Sequence, residues 1–237
     1  MNEDLPKHPI NLLPLPPEGD RKRALDERRN NARDLAKAAM SIMKLKEESQ
    51  KDTLTGLPNR LAFNEKLPEI FEVAKKGGSS LALMLLDIDG MKRTNESLGH
   101  PMGDKLLQTV AKTFITNPDQ EKNSSILRPD DIVGRFDGDE YWALLPDYKP
   151  MDHQTVDELN ESKIKTIQDN FLKNAHELGI PDDLHVGITI GIAVIQPNDN
   201  IESFIERADK QLRDKKEEKK VILEKEGIIF EDDRLSI

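Results

Sequence analysis

The sequence predicts an α/β fold, more closely an α+β sandwich, with a central sheet flanked by helices and preceded by an N-terminal helix. Two observations support this prediction. Helix-like amphipathic segments alternate with short apolar strands, and an Asp-Gly pair separates two strand-like runs in the middle of the chain. Such elements bury their apolar faces by packing in layers around one core. At 237 residues, the chain is long enough for one such domain with extensions.

The N-terminal part of the chain is organised differently from the rest. Residues 1–20 are rich in proline and are expected to be extended or disordered. Residues 21–51 contain neither proline nor glycine and are predicted to form a helix. This helix either packs on its own domain or dimerises as a stalk, because four of its residues have the a and d spacing of a short heptad pattern. These four residues are Ala32, Leu35, Ala39 and Ile42.

Residues 52–225 are expected to form the domain itself, and 226–237 a C-terminal tail to which the sequence assigns no role. Amphipathic periodicity and helix-stop signals predict the helices of this domain, and apolar runs predict its outer strands. The predicted helices are 64–76, 103–114, 155–178 and 201–216, and the predicted strands are 81–86 and 185–195.

The two central strand-like runs, 131–136 and 141–145, are joined by Asp137-Gly138. An Asp-Gly pair between such runs predicts a β-hairpin with a type I′ turn, in which both central residues have positive φ. This hairpin places Asp139 and Glu140 at its tip. Carboxylates in that position can hold a metal ion or take a proton.

A second acidic site follows the apolar run 81–86, where the chain continues Asp87-Ile88-Asp89-Gly90. Asp87 and Asp89 are two residues apart, so in an extended strand they lie on one face. Carboxylate oxygens suit Mg²⁺, which typically takes one or two protein carboxylates and completes its shell with water and phosphate. A solvated loop is the alternative for an isolated D-x-D motif, but two acidic turns behind apolar strands favour a metal site.

Composition excludes several classes of protein. With a net charge of −10, the chain lacks the excess of basic residues that is typical of nucleic-acid-binding proteins. Cysteine is absent, so neither disulfides nor a cysteine-based zinc site can form. The apolar runs are too short for membrane insertion and no signal peptide begins the chain, so a cytoplasmic location is expected.

Five ordered blocks of residues resemble one known family. The blocks are 52–60 (DTLTGLPNR), Asp87-Ile88-Asp89 leading to Lys92, Asn95, Gly99-His100 and Gly103-Asp104, Arg128 to Asp131 (RPDD), 137–141 (DGDEY), and 188–193 followed by Ala208-Asp209, Leu212 and Lys216. With these blocks, residues 52–221 are similar to GGDEF domains, the family of bacterial diguanylate cyclases. The resemblance implies an antiparallel-centred sheet like those of nucleotidyl cyclases and polymerase palms.

The resemblance also implies an activity, the condensation of two GTP molecules into cyclic di-GMP with release of pyrophosphate. Two domains would face each other as a homodimer, with Mg²⁺, or Mn²⁺ as a substitute, as the cofactor. The implied metal ligands are Asp87, the main-chain carbonyl of Ile88, Asp139 and Glu140. Glu140 would also be the general base and Lys92 a charge-stabilising catalytic residue. The implied substrate-binding residues are Asn95, His100, Asp104, Gly138, Lys216 and Lys220.

Arg128 and Asp131 match the family's product-inhibition site, where arginine pairs with bound cyclic di-GMP. Arginine suits this role because its planar fork bonds bidentately. The alternative is a local Arg–Asp pair within a turn, which would contribute little at the surface.

The chain departs from the family pattern at two places. Asp137 replaces the first glycine of the signature, next to the expected phosphates, and Tyr141 is a mild replacement for phenylalanine. The usual Lys-x-x-Gly-Arg-Asn block is Lys-Glu-Glu-Lys-Lys-Val over 216–221, where Lys220 supplies charge in place of arginine. The charge run 215–220 is expected to be mostly solvated. These departures leave a second hypothesis, a non-catalytic module that binds GTP or cyclic di-GMP and signals to a partner.

Overall fold

The computed structural model describes residues 17–115, 127–151 and 153–228. The chain divides after Ser49 into two compact units. Over its described residues, 17–49, the first unit consists of one helix, α1 (Glu18–Ser49), none of whose residues is buried. This helix confirms the predicted N-terminal helix. Of the proline-rich segment expected to be extended or disordered over 1–20, residues 1–16 lie outside the described ranges, and 18–20 are helical, so the helix begins three residues earlier than predicted.

The second unit alternates helices with strands, as the sequence predicts. Its elements in chain order are α2 (Arg60–Gly77), β1 (Leu81–Asp89), α3 (Met91–Leu98), α4 (His100–Ile115), β2 (Ile132–Asp137), β3 (Glu140–Pro146), α5 (Val156–Glu177), a 3₁₀ turn (Asp182–Leu184), β4 (Gly187–Val194) and α6 (Ile201–Lys225). No helix within the described ranges is long and apolar enough to cross a bilayer.

The four strands form one sheet in the order β2-β3-β1-β4, and every neighbouring pair is antiparallel. This confirms the antiparallel-centred sheet. All nine residues of β1 are buried because it lies between β3 and β4 and is covered on both faces. The continuous apolar run 81–86 follows from this double coverage.

The two faces of the sheet carry separate halves of the core. One face packs against α4 and α5 through residues such as Leu106, Ile167 and Phe171. The other packs against α2 and α6 through residues such as Phe63 and Phe204. Along β1, odd-numbered leucines belong to the second face. Since side chains alternate along a strand, Asp87 and Asp89 lie on the face that α6 covers.

The close approach of α6 to β4 depends on Gly191. A Cβ atom on residue 191 would lie 2.5 Å from the Ala208 carbonyl oxygen and 2.9 Å from Leu212 Cα, and it would overlap the Leu212 nitrogen. Only glycine leaves room for the helix backbone at this distance. The next turns of α6 are thereby carried over the acidic end of β1.

Two local predictions were wrong. The hairpin turn is formed by Gly138 and Asp139, because Asp137 pairs with Glu140 in the ladder. Gly138 has φ +40°, whereas neither Asp137 nor Asp139 has positive φ, so the turn is not type I′. A glycine with positive φ at the first central position instead matches the type II′ pattern. Helix α6 continues to Lys225, beyond the predicted end at Lys216, because no glycine or proline interrupts it.

Candidate functional site

The acidic residues of the two predicted turns meet at one edge of the sheet. Asp87 on β1 lies directly opposite Glu140 on β3, and Asp139 precedes Glu140 in the turn. Opposed residues of an antiparallel pair project to the same face with Cβ atoms about 5 Å apart. Asp87 is buried and Glu140 is partly exposed. The sheet register therefore brings together the carboxylates of two motifs more than fifty residues apart.

Lys216 provides the counter-charge to Asp87. Its ammonium group donates a hydrogen bond to Asp87 Oδ1, and both side chains are 4% exposed. A buried charge requires a partner, and this pair satisfies that requirement. The expected cation at position 216 is thus present, but in this structure it contacts the carboxylate.

The donor chemistry at this edge fits Mg²⁺. A cation, the Lys216 ammonium, already lies against Asp87, and carboxylate and carbonyl oxygens are the ligands that Mg²⁺ takes in proteins. Within the described ranges, no three acidic or histidine side chains converge into a complete metal cluster. Mg²⁺ does not need one, since it usually keeps water and substrate phosphate in its shell.

Asp89, the second acid of the D-x-D motif, has different partners. Lys219 Nζ donates to its Oδ2 at 2.6 Å, and Thr189 Oγ1 lies 3.0 Å and 2.9 Å from its two carboxylate oxygens. The Asp89 side chain is completely buried, and that of Lys219 is 34% exposed. The sequence predicted no role for Lys219 or Thr189. The only available signal was the spacing of three between Lys216 and Lys219, which places both on one helix face.

The predicted guanine-binding residues lie on α3 and α4, directly after β1. Asn95 on α3 lies against Gly103 on α4, where a Cβ atom would overlap Asn95 Oδ1 and lie 3.0 Å from its Cγ. Asn95 Oδ1 is buried and has no hydrogen-bond partner among the described residues. Asp104, which follows Gly103, is exposed, as is His100 at the start of α4. A buried acceptor beside an exposed carboxylate fits a ligand that presents N–H donors.

Lys92 and Lys220 lie on α3 and α6, respectively. Lys92 is exposed in the first turn of α3, one residue after Met91 begins the helix. Lys220 is partly exposed on α6, directly after Lys219. The expectation that 215–220 is mostly solvated was wrong, because Lys216 is buried and Lys215 donates to the Ile190 carbonyl at 3.0 Å.

The hairpin turn is fixed by Arg135. Its Nε donates to the Gly138 carbonyl at 2.8 Å, and its Nη1 lies 3.2 Å and 3.3 Å from the two carboxylate oxygens of Asp52. Burial acts to raise the pKa of Asp52, but hydrogen bonds from Thr55 and the charge of Arg135 outweigh it, so the pKa is lowered. The loop that begins the domain and the turn that carries Asp139 are therefore held together.

Asp137 is exposed on the surface of the domain. It lines a surface cavity together with Asp52, Arg60 and Arg135. The Arg60 guanidinium lies 4.7 Å above the Phe136 ring. The cavity lining thus contains both cationic and anionic side chains, and the exposed Asp137 carboxylate is compatible with the hairpin.

Comparison with known proteins gives the family. The model of the diguanylate cyclase GGDEF domain matches residues 49–221. The chain belongs to the GGDEF family. A relative named diguanylate cyclase DgcP, from Pseudomonas aeruginosa, is 34% identical over 195 residues, which are 81% of this chain and 26% of that protein.

One further relative and one solved structure are also similar to this chain. The cyclic di-GMP phosphodiesterase NbdA of Pseudomonas aeruginosa is 44% identical over 100 residues, 42% of this chain and 12% of that protein. The chain thus spans about a quarter or less of these relatives' lengths. A crystal structure of the coiled coil and GGDEF domain of DgcB from Caulobacter crescentus, in complex with c-di-GMP, has a TM-score of 0.61 at 21% identity. It covers 80% of this chain and 93% of that one.

In this GGDEF domain, Arg128 and Asp131 lie in the turn that leads into β2. The Arg128 main-chain N–H donates to Asp131 Oδ2 at 2.8 Å, and Arg128 Nη1 donates to the Asp147 carbonyl at 3.1 Å. Burial raises the pKa of Asp131, and it lowers the pKa of the neighbouring Lys163. The contact between Arg128 and Asp131 is made by the main chain, so the exposed guanidinium is not committed to Asp131.

Tyr141 makes a contact that the sequence did not reveal. Its hydroxyl donates to the Leu107 carbonyl on α4 at 2.8 Å, in the interior of the domain. Burial raises the pKa of Tyr141. The replacement of phenylalanine by tyrosine at this signature position therefore adds a buried hydrogen bond between β3 and the helix that carries Asp104.

Proposed function

We propose that this GGDEF domain is a diguanylate cyclase that condenses two GTP molecules into cyclic di-GMP and releases pyrophosphate. The observation that carries the proposal is the placement of Asp87 opposite Glu140, with Asp139 beside them and the Lys216 ammonium against Asp87. This edge concentrates negative charge where a cation is already accommodated. Intact acids at both turns favour catalysis over a binding role alone.

Asp87, the Ile88 carbonyl, Asp139 and Glu140 would hold Mg²⁺ or Mn²⁺. When bound, the ion supplies charge stabilisation to the phosphates. Glu140, which is partly exposed, accepts the proton of the attacking 3′-hydroxyl. Lys216, which pairs with Asp87 in this structure, would be available to pair with phosphate if an ion took its place. Lys92 and Lys220 would offset phosphate charge, and the turn at Gly138, where a Cβ atom would meet nothing within 4 Å, leaves room for the triphosphate.

Selection of guanine rests on Asn95 and Asp104. Guanine presents N–H donors on its N1 and N2 edge, whereas adenine lacks this pattern. The buried Asn95 Oδ1 without a partner and the exposed Asp104 carboxylate are both acceptors. His100 lies at the start of the same helix. An unpaired buried acceptor strongly disfavours ligands without a matching donor, so GTP is favoured over ATP.

A cyclase of this kind requires two domains, and α1 is proposed as the dimerising element. Leu35 and Ile42 lie one heptad apart and are 72% and 66% exposed. Apolar side chains exposed along one side of a helix favour pairing with a second copy. Replacing both by glutamate should leave a monomer in size-exclusion chromatography with light scattering and should lower turnover. A wild-type chain that is already monomeric at working concentration would contradict the stalk.

The direct test is incubation of the purified chain with GTP and Mg²⁺, with the products identified by mass. Glu140→Gln should form at least about 100-fold less cyclic di-GMP, because it removes the general base. Glu206→Gln, an exposed position on α6, is the matched control and should retain turnover. Because GTP is a cytoplasmic nucleotide, the cytoplasmic location expected from the sequence belongs to the same proposal.

The alternative is a module that binds GTP or cyclic di-GMP without turnover. Asp137 in place of glycine is the observation that favours it. Nucleotide binding without product, in a chain shown to be dimeric, would establish this alternative and exclude the cyclase. Restoration of turnover by Asp137→Gly would identify the carboxylate at this position as the cause.

A further inference from the structure

Two lysine–aspartate pairs join α6 to the end of β1. Lys216 binds Asp87, and Lys219 binds Asp89. Residues three apart on a helix advance about 4.5 Å, and residues two apart on a strand advance about 6.6 Å. These spacings are close enough for long lysine side chains to match the two acids in order. The helix and strand are therefore in register at this edge of the sheet.

Asp87 and Asp89 differ in the residues that lie opposite them on the neighbouring strands. Asp87 lies opposite Glu140 on β3, so a cation at Asp87 has further carboxylates nearby. The pairing of β1 with β3 ends there, and Asp89 has only a β4 partner, Gly187. A cation that displaced Lys219 from Asp89 would find no second carboxylate on the opposed strand.

The position of Lys219 is closely fitted. A Cβ atom on Gly187 would lie 2.9 Å from Lys219 Nζ and 3.5 Å from Asp89 Oδ2. Any larger residue at 187 would therefore press against the ammonium group. Thr189 completes the arrangement by contacting both carboxylate oxygens of Asp89. Asp89 is thus enclosed by an ammonium, a hydroxyl and a glycine backbone.

We propose that Lys219 is a positioning residue that, with Thr189, holds Asp89 as a fixed structural anion. Asp87 is then the β1 carboxylate presented to a divalent cation, and Asp89 is not a metal ligand. The inference rests on the proposed metal-dependent function and refines it. The two lysines of α6 would then have different roles, since Lys216 would give up Asp87 to the cation whereas Lys219 would stay on Asp89 and anchor the helix.

The test is a titration of the whole chain with Mn²⁺ in the absence of nucleotide. Binding is measured as the loss of the free-ion signal in electron paramagnetic resonance. Asp87→Asn should weaken Mn²⁺ binding at least tenfold, and Asp89→Asn should change the Kd less than threefold. If Asp89→Asn weakens binding as much as Asp87→Asn, the inference is wrong and the metal site stands. If the wild type does not bind Mn²⁺, or Asp87→Asn does not weaken it, the metal part of the proposed function fails and the inference fails with it.

A second arm tests Lys219 itself. Lys219→Met should strengthen Mn²⁺ binding at least fivefold, because an uncompensated carboxylate then lies two residues from Asp87. Adding Asp89→Asn to Lys219→Met should return the Kd to the wild-type value. Lys225→Met removes the same charge from an exposed position on the same helix and should change nothing.

An unchanged Kd in Lys219→Met would overturn the positioning role. Thermal unfolding provides the control for folding, since Lys219→Met should lower the Tm and the double variant should recover much of the loss. Removing the cation that compensates the buried Asp89 carboxylate is destabilising, whereas neutralising both partners is often nearly neutral. If Lys219→Met does not fold, the double variant and the Asp89→Asn measurement still decide the question.

Discussion

Replacing Gly191 by alanine should separate α6 from the sheet. The new Cβ would lie 2.5 Å from the Ala208 carbonyl oxygen, and ordinary contacts begin at 3.4 Å. The helix must therefore move by about 1 Å, which forfeits a quarter to a half of each dispersion contact it makes with the sheet. Its side chains Phe204, Ala208 and Leu212 are all fully buried. We expect a loss of about 3 kcal/mol in the free energy of unfolding, or about 6–12 °C in Tm.

The assay is urea unfolding followed by the fluorescence of Trp142, the only tryptophan in the sequence. It stacks on Phe136 at 3.7 Å and therefore reports on the folded domain. Gly77→Ala is the matched control, because a Cβ there meets only Ser79 Oγ at 3.5 Å. We expect it to be neutral or stabilising by up to about 1 kcal/mol. If the two variants unfold within about 0.5 kcal/mol of each other, the proposed close approach of α6 is wrong.

Three further predictions follow from contacts within the domain. Both tyrosines are buried, which raises the pKa of Tyr148 to about 12 and that of Tyr141 further. Because the unfolded chain loses these protons near pH 10 and the folded chain does not, stability should fall as pH rises above 10. Absorbance at 295 nm should show no tyrosinate before unfolding, and early ionisation would contradict the burial. Gly103→Ala should displace Asn95 and weaken GTP binding at least about tenfold, the equivalent of one hydrogen bond, in a fluorescent-nucleotide titration; unchanged affinity would remove Asn95 from the guanine site. Arg128→Ala should raise at least tenfold the cyclic di-GMP concentration that halves the initial rate. An unchanged concentration would mean that Arg128 does not bind the product and serves only in the local turn.

The sequence predicted an element correctly where the residues of that element alone determine its structure. The run 81–86 predicted a strand covered on both faces, and β1 is completely buried. Asp-Gly located the hairpin but not its turn type. The two central residues of a hairpin turn are those enclosed by the last pair of the ladder. This pair is Asp137 and Glu140, so the central residues are Gly138 and Asp139. The end of α6 was missed because a run of charges was interpreted as solvated chain, although lysine stems can be buried when a carboxylate receives the head group.

The periodicity of apolar residues could not predict side-chain contacts between elements that are distant in the sequence. Lys216 and Lys219 bind residues 129 and 130 positions away. These contacts depend on how closely α6 approaches β4, and that distance is set by Gly191, which a sequence pattern identifies only as a glycine within a strand. The hydrogen bond from Tyr141 to Leu107 similarly joins β3 to α4. A phenolic hydroxyl in an apolar strand predicts that a partner exists, but not which carbonyl it is.

The same long-range contacts explain why the acidic edge can exist in a folded chain. Asp87 and Asp89 are both buried beside a hairpin that carries two more acids, and like charges at this spacing repel strongly unless they are compensated. Compensation comes from the C-terminal helix, which supplies two ammonium groups. Of these, only the Lys216 pair lies opposite a carboxylate of the neighbouring strand, so under the proposed function a divalent cation that replaced Lys216 at Asp87 would also have Glu140 nearby. The packing of α6 places Lys216 and Lys219 against these two acids, so under the proposed function α6 belongs to the candidate site.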